Sequence, residues 1–200
     1  MTINEPSKNI AIIQYNAGNI RSVLFALERL GIQAMVTDSH EQIKEASHVI
    51  FPGVGEASSA MTYLKERGLD KLIISLRQPF LGICLGMQLM CKYSEEGDTR
   101  CLGIFDANVS LFKGEQKVPQ MGWNTISNLK TSLFNGIDEN SWQYFVHSYA
   151  ADLGEHTIAI TDYIVPFSAA LHRDNFYGVQ FHPEKSGEAG ARILENFIQL

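Results

Sequence analysis

One cysteine sits between two glycines in Gly82-Ile83-Cys84-Leu85-Gly86, after the apolar strand pattern Phe80 to Ile83 and ahead of a helical pattern reaching Met90. The G-x-C-x-G spacing is that of a nucleophile elbow. Gly82 and Gly86 remove side chains that would crowd the strand and helix around a strained Cys84, leaving its sulfur exposed above a sheet. A helix beginning at Leu85 would turn its N–H groups toward that sulfur and favour thiolate over thiol. A small buried residue in a Gly-rich turn would leave the same pattern, so the far end of the chain has to decide.

There the run Tyr177 to Lys185 ends in His182-Pro183-Glu184. Pro183 biases His182 toward extended backbone, in which residues two apart project to one side, so the Glu184 carboxylate can lie against the imidazole. Such a pair completes a thiol nucleophile: the imidazole takes the thiol proton and later gives it to a leaving amine, while the carboxylate fixes the tautomer. None of His40, His48, His147, His156 and His172 has a carboxylate so placed in an extended segment. Attack on an amide also builds charge on the carbonyl oxygen, which calls for preorganised donors. The Leu85 N–H is one expected source, and Pro52-Gly53-Val54-Gly55, ending another strand, is the second. Gln88, one helical turn beyond Cys84, can address the same pocket.

Elements that position these groups are legible in the hydrophobic pattern. Strands are expected over 9–15, 33–37, 48–51 and 79–83, and helices over 20–30, 57–67 and 70–76, with a capping box from Asp38 to Glu41 opening a further helix. This alternation predicts an α/β fold, a mostly parallel sheet with helices on both faces, whose ligands bind at the carboxyl ends of the strands. Beyond Thr99 come shorter strand candidates, 107–112, 142–148, 156–161, 168–172 and 175–181, read as an antiparallel extension of the sheet, with a closing helix over 188–200. The segment 119–123 reads as a turn. Two hundred residues suit one domain spanning 1–200.

Composition narrows the partners. With 16 basic against 22 acidic residues the net charge is −6, which gives nucleic acid or an anionic membrane no electrostatic support. No signal-peptide core or membrane-length apolar run appears, and three unpaired cysteines suit a reducing compartment, so the cytoplasm is expected. Metal-ligand spacings are lacking, so neither a metal nor another cofactor is expected.

Taken together, G-I-C-L-G-M-Q, F-P-G-V-G and V-Q-F-H-P-E resemble the class I, triad-type glutamine amidotransferases. Within that family, Tyr15 to Asn19, Val118 to Asn124 and Phe145 to Tyr149 are most similar to the glutaminase subunits of imidazole glycerol phosphate synthases. The blocks span nearly the whole chain, and Glu56-Ala57-Ser58 departs from the aromatic-containing version common there. The resemblance implies Cys84, His182 and Glu184 as catalytic residues, Val54 and Leu85 as oxyanion donors, and Gly55, Gln88, Ser148 and Tyr149 as contacts for L-glutamine. It also implies a cyclase partner subunit with a (β/α)8 barrel, met by Asn16, Asn19, Pro119, Gln120, Met121, Trp123, Tyr144 and Lys185. An amidotransferase serving another synthase, a stand-alone cysteine hydrolase and a non-catalytic binding module remain alternatives at this point.

Overall fold

A computed structural model describes residues 8–15 and 19–200; Asn16, expected at a partner interface, lies outside the described residues. Strand and helix alternate through the first half as β1 (Ile10–Ile13), α1 (Ile20–Arg29), β2 (Ala34–Thr37), α2 (His40–Glu45), β3 (His48–Gly53), α3 (Ala57–Glu66), α4 (Leu69–Ser75), β4 (Phe80–Cys84) and α5 (Leu85–Met90). Short strands follow: β5 (Tyr93–Ser94), β6 (Thr99–Arg100), β7 (Asn108–Leu111), β8 (Gln120–Ile126), β9 (Ser141–His147) and β10 (Tyr149–Ala151). The chain closes with β11 (Thr157–Tyr163), β12 (Val165–Arg173), β13 (Phe176–Val179) and α6 (Gly187–Ile198).

Seven strands form the main sheet in the order β11-β12-β13-β4-β3-β1-β2. Pairing is parallel from β13 across to β2 and antiparallel through β11, β12 and β13. The parallel strands are apolar on both faces because both are covered. In β1, Ala11 and Ile13 join the core under α2, α3 and α4, which includes Ile43, Met61 and Ile73. Ile10 and Ile12 face the opposite core, with Val23 and Leu27 of α1 and Leu194 and Phe197 of α6.

Three details depart from expectation. Only the last three strands extend the main sheet; β10, β7, β5 and β6 make a separate sheet, and β8 with β9 a separate hairpin. The segment 119–123 is therefore mostly strand, with its period-2 signal masked because buried Gln120 and exposed Met121 and Trp123 invert the usual polarity. The cap of α2 is Ser39, whose side chain accepts from the Gln42 N–H, one position later than Asp38. Glu56-Ala57-Ser58 opens α3: the Glu56 carboxylate accepts from the Ser59 N–H at 3.0 Å, and the Ala57 N–H donates to Glu96 at 2.8 Å. Among the described residues, no helix is long and apolar enough to cross a membrane.

Candidate active site

Parallel pairing sets the carboxyl ends of β3, β4 and β13 side by side, with Gly53 opposite Cys84 and Val179 opposite Ile83. Cys84 is the pivot between β4 and α5, at φ 53° and ψ −110°. For a non-glycine residue that backbone costs roughly 1–3 kcal/mol and is retained only where its surroundings enforce it. Both flanking glycines are enforced by space. A Cβ at Gly86 would lie 1.8 Å from the Phe51 carbonyl oxygen, and one at Gly82 would lie 2.8 Å from the Met87 nitrogen. A Cβ at Gly53 would meet the tip of the Tyr15 side chain, its hydroxyl, at 2.0 Å and the Gly86 nitrogen at 3.2 Å.

His182 follows β13, and its Nδ1 meets Glu184 Oε1 at 2.8 Å, with both side chains enclosed. The route to that contact differs from the extended-strand argument. Regular strand ends at Val179, and Pro183 to Lys185 form a 3₁₀ turn that carries Glu184 back onto the ring. Among the described residues, His182 Nε2 has no conventional hydrogen-bond partner and is left to Cys84. Burial disfavours the charged imidazole, but bonding to the Cys84 thiol and to Glu184 outweighs it and raises the pKa of His182. The ring is thereby suited to take up and hold a proton beside the Cys84 sulfur.

Asn19, at the start of α1, donates its side-chain amide to the same Glu184 oxygen. Among the expected interface residues it thus makes an internal bond to the acid of the His182 pair, and Gln120 is enclosed in its own chain at 3 % exposure, its side chain on the inner face of the hairpin. Met121, Trp123 and Lys185 are exposed, Tyr144 is half-buried, and the Lys185 ammonium lies 5.7 Å from the Tyr144 ring centre. Trp142, exposed on the same hairpin face, joins them.

A cavity of about 270 Å³ opens in front of the sulfur. Its walls bring together Val54, Gly55, Cys84, Leu85, Gln88, Ser148 and Tyr149, and Pro119 of the expected interface lines it too. Leu85 is the first residue of α5, so its N–H precedes the helix's own hydrogen-bond ladder. Gln88 is committed more deeply than a solvent-facing helix residue: its amide nitrogen donates to the Tyr149 carbonyl at 2.8 Å and to Gln180 Oε1 at 3.0 Å.

Sequence reasoning passed over three groups here. Glu96 supplies a carboxylate to the cavity wall, its pKa raised chiefly by burial; its acidic turn carries no periodic signal. His147 lines the cavity and donates from Nδ1 to the Tyr149 carbonyl at 2.8 Å. Gln180, wholly buried, lies two residues before His182, and that spacing was the available signal. Tyr15 is also enclosed, its pKa raised by burial first and by Cys84 second.

A thiol beside a carboxylate-oriented imidazole, with a helix start and a Gly-rich strand end around one small cavity, is equipped for acyl transfer from an amide. Residues 11–200 match the model of the family described as glutamine amidotransferase class-I, and the chain belongs to that family. It is 62% identical over 194 residues to the imidazole glycerol phosphate synthase subunit HisH of Bacteroides fragilis (strain YCH46), covering 96% of this chain and 99% of that one. The subunit of the same name from Haemophilus influenzae (strain ATCC 51907) is 49% identical, covering 96% and 97%. In fold, the chain resembles a glutamine amidotransferase from Thermotoga maritima, with TM-score 0.65 and 19% identity over 98% of this chain and 82% of that one. PurLQS from Thermotoga maritima matches with TM-score 0.69 and 14% identity, over 97% and 99%.

Proposed function

We propose that this chain is the glutaminase subunit of an imidazole glycerol phosphate synthase, acting as one domain in the cytoplasm and releasing ammonia from L-glutamine for histidine biosynthesis. The observation that carries the reading is the strained Cys84 facing the enclosed His182–Glu184 pair at the wall of a cavity sized for an amino acid. High identity to subunits of that name supports the choice of synthase.

The side-chain amide of glutamine enters with its carbonyl carbon at Cys84 Sγ. The sulfur attacks, and the oxygen's developing charge is met by the N–H groups of Leu85 and Val54. His182, holding the proton taken from the thiol, gives it to the departing nitrogen, so ammonia leaves and a γ-glutamyl thioester remains. His182, now neutral, draws a proton from water, whose oxygen displaces the thiolate and yields glutamate. At the other end of the substrate Glu96 suits the α-ammonium, and Gly55, Ser148 and Tyr149 suit the α-carboxylate.

The cavity holds no second catalytic constellation for an ammonia acceptor, so the acceptor site belongs to a partner, which we take to be a (β/α)8-barrel cyclase. Its docking face is the outer side of the β8–β9 hairpin, where Met121, Trp123 and Trp142 are exposed around Tyr144 and Lys185. Exposed aromatic and methionine side chains grouped in this way favour interface cores. Glutamate release measured for the chain alone, with the cyclase, and with cyclase plus its nucleotide ligand tests the reading. Stimulation in the last condition, with Cys84→Ala inactive on glutamine yet supporting cyclisation from ammonium salts, is expected; glutaminase activity retained by Cys84→Ala refutes it.

A further inference from the structure

Behind the sulfur lies a buried amide that the steps above do not use. Gln180 Nε2 is 3.7 Å from Cys84 Sγ, and the Gln180 side chain is wholly enclosed. Which end of that amide faces the sulfur decides its effect: an N–H favours a thiolate, whereas a carbonyl oxygen repels it.

A backbone carbonyl settles the orientation. The Tyr149 oxygen can only accept, so Gln88 must turn its NH₂ group toward it, at 2.8 Å. The second N–H of that nitrogen reaches the Gln180 oxygen at 3.0 Å. Gln180 is thereby held with its oxygen toward Gln88 and its nitrogen toward Cys84. Turning it over would set NH₂ against NH₂ at one end and oxygen against sulfur at the other. The register agrees, since Val179 pairs with Ile83 and the residues that follow them along the chain are Gln180 and Cys84.

We propose that Gln180 is a catalytic residue of this site, whose Nε2–H hydrogen-bonds the Cys84 thiolate and stabilises it both before attack and as it leaves the thioester. The proposal rests on Cys84 being the nucleophile. No proton is transferred to or from Gln180; the thiol proton still passes to His182. A neutral thiol is a weak acceptor and gains little from an amide, while the anion gains a charge-assisted bond, so the effect is selective for the charged form.

The titratable groups facing the sulfur are His182 with Glu184 after β13, Tyr15 after β1, His147 at the end of β9, and Glu96 across the cavity. Of these, His182 is the group that takes the thiol proton, and against the cost of burial its pKa is raised by Cys84 and Glu184. Gln180 shifts the Cys84–His182 pair without titrating itself.

The test is the pH dependence of iodoacetamide alkylation of the full chain, read at the Cys84 peptide by mass spectrometry. Burial pushes the Cys101 thiol up to about 11 and Cys91 higher, so neither competes. Gln180→Met keeps the volume and removes the N–H; Gln180→Asn keeps an amide but withdraws it from reach. Either variant, if folded by circular dichroism, is expected to move the alkylation midpoint up by about one pH unit, the effect of one charge-assisted hydrogen bond. A filler role predicts no movement, and a midpoint within about 0.3 unit of the unmodified chain in a folded variant overturns the proposal. A Cys84 that alkylates no faster than a free thiol in the unmodified chain overturns the nucleophile reading instead.

Discussion

His147 should make the fold measurably sensitive to acid. Its ring is packed among Phe112, Phe145 and Phe167 at centroid distances of 5.3, 5.7 and 5.3 Å, and its Nδ1–H is spent on the Tyr149 carbonyl. Burial pushes its pKa down from 6.5 to about 4, against the pull of that carbonyl and with a smaller push from His182. The folded value is depressed, so between those two pH values the unfolded chain binds a proton that the folded chain refuses. Stability from this group is therefore complete above pH 6.5, declines as pH falls toward 4, and is level below that. A tenfold change in proton affinity corresponds to about 1.4 kcal/mol, so the loss between neutral pH and about pH 4.5 is roughly 2.5 kcal/mol. His147→Asn places an amide N–H where Nδ1–H stood and removes the titration. Urea unfolding of both proteins at pH 7.5 and 4.5 should show the unmodified chain losing about 2.5 kcal/mol more than the variant, the carboxylates cancelling in the difference. Losses that agree to within about 0.5 kcal/mol would refute a neutral, desolvated His147.

Glu184→Gln should slow glutamine hydrolysis less than Cys84→Ala does, because nucleophile and base remain while tautomer and imidazolium lose their support; steady-state rates of the two folded variants decide it, and equal losses would give Glu184 a larger role. Val54→Pro deletes one oxyanion N–H and should cost on the order of 10²–10³ in partner-stimulated kcat, whereas a loss of only a few-fold in a variant that still binds the cyclase would exclude Val54 as a donor. Gly86→Ala must displace the Phe51 carbonyl, 1.8 Å from the added methyl, so thermal unfolding should show a destabilisation of about 3 kcal/mol or more; an unchanged melting temperature would mean that the elbow is not as tight as its geometry requires.

The main sheet was readable wherever the chain carried period-2 and period-3.6 patterns strong enough to be local. β1, β3 and β4 are apolar at successive positions because both faces are covered, and α1 and α6 carry single apolar stripes. Of the β8–β9 hairpin, β9 was readable as the strand expected over 142–148, and β8 was not. The hairpin's exposed face holds Met121, Trp123 and Trp142 while Gln120 and Gln143 are buried, so hydrophobicity there does not mark the core.

Residue order along the chain singled out Cys84 and His182 as the proposed nucleophile and base, because the constraints on them are local: two glycines that permit a strained turn, and a proline that shapes the approach of Glu184. The cavity's other groups were decided by tertiary structure alone. Glu96 reaches the wall from an acidic turn, and Asn19 finds Glu184 across 165 residues. Gln180 and Gln88 become one chain of amides only when parallel pairing of β13 with β4 sets them beside the Tyr149 carbonyl. Hydrogen-bond direction is a property of such assembled partners, and no single stretch of sequence contains it.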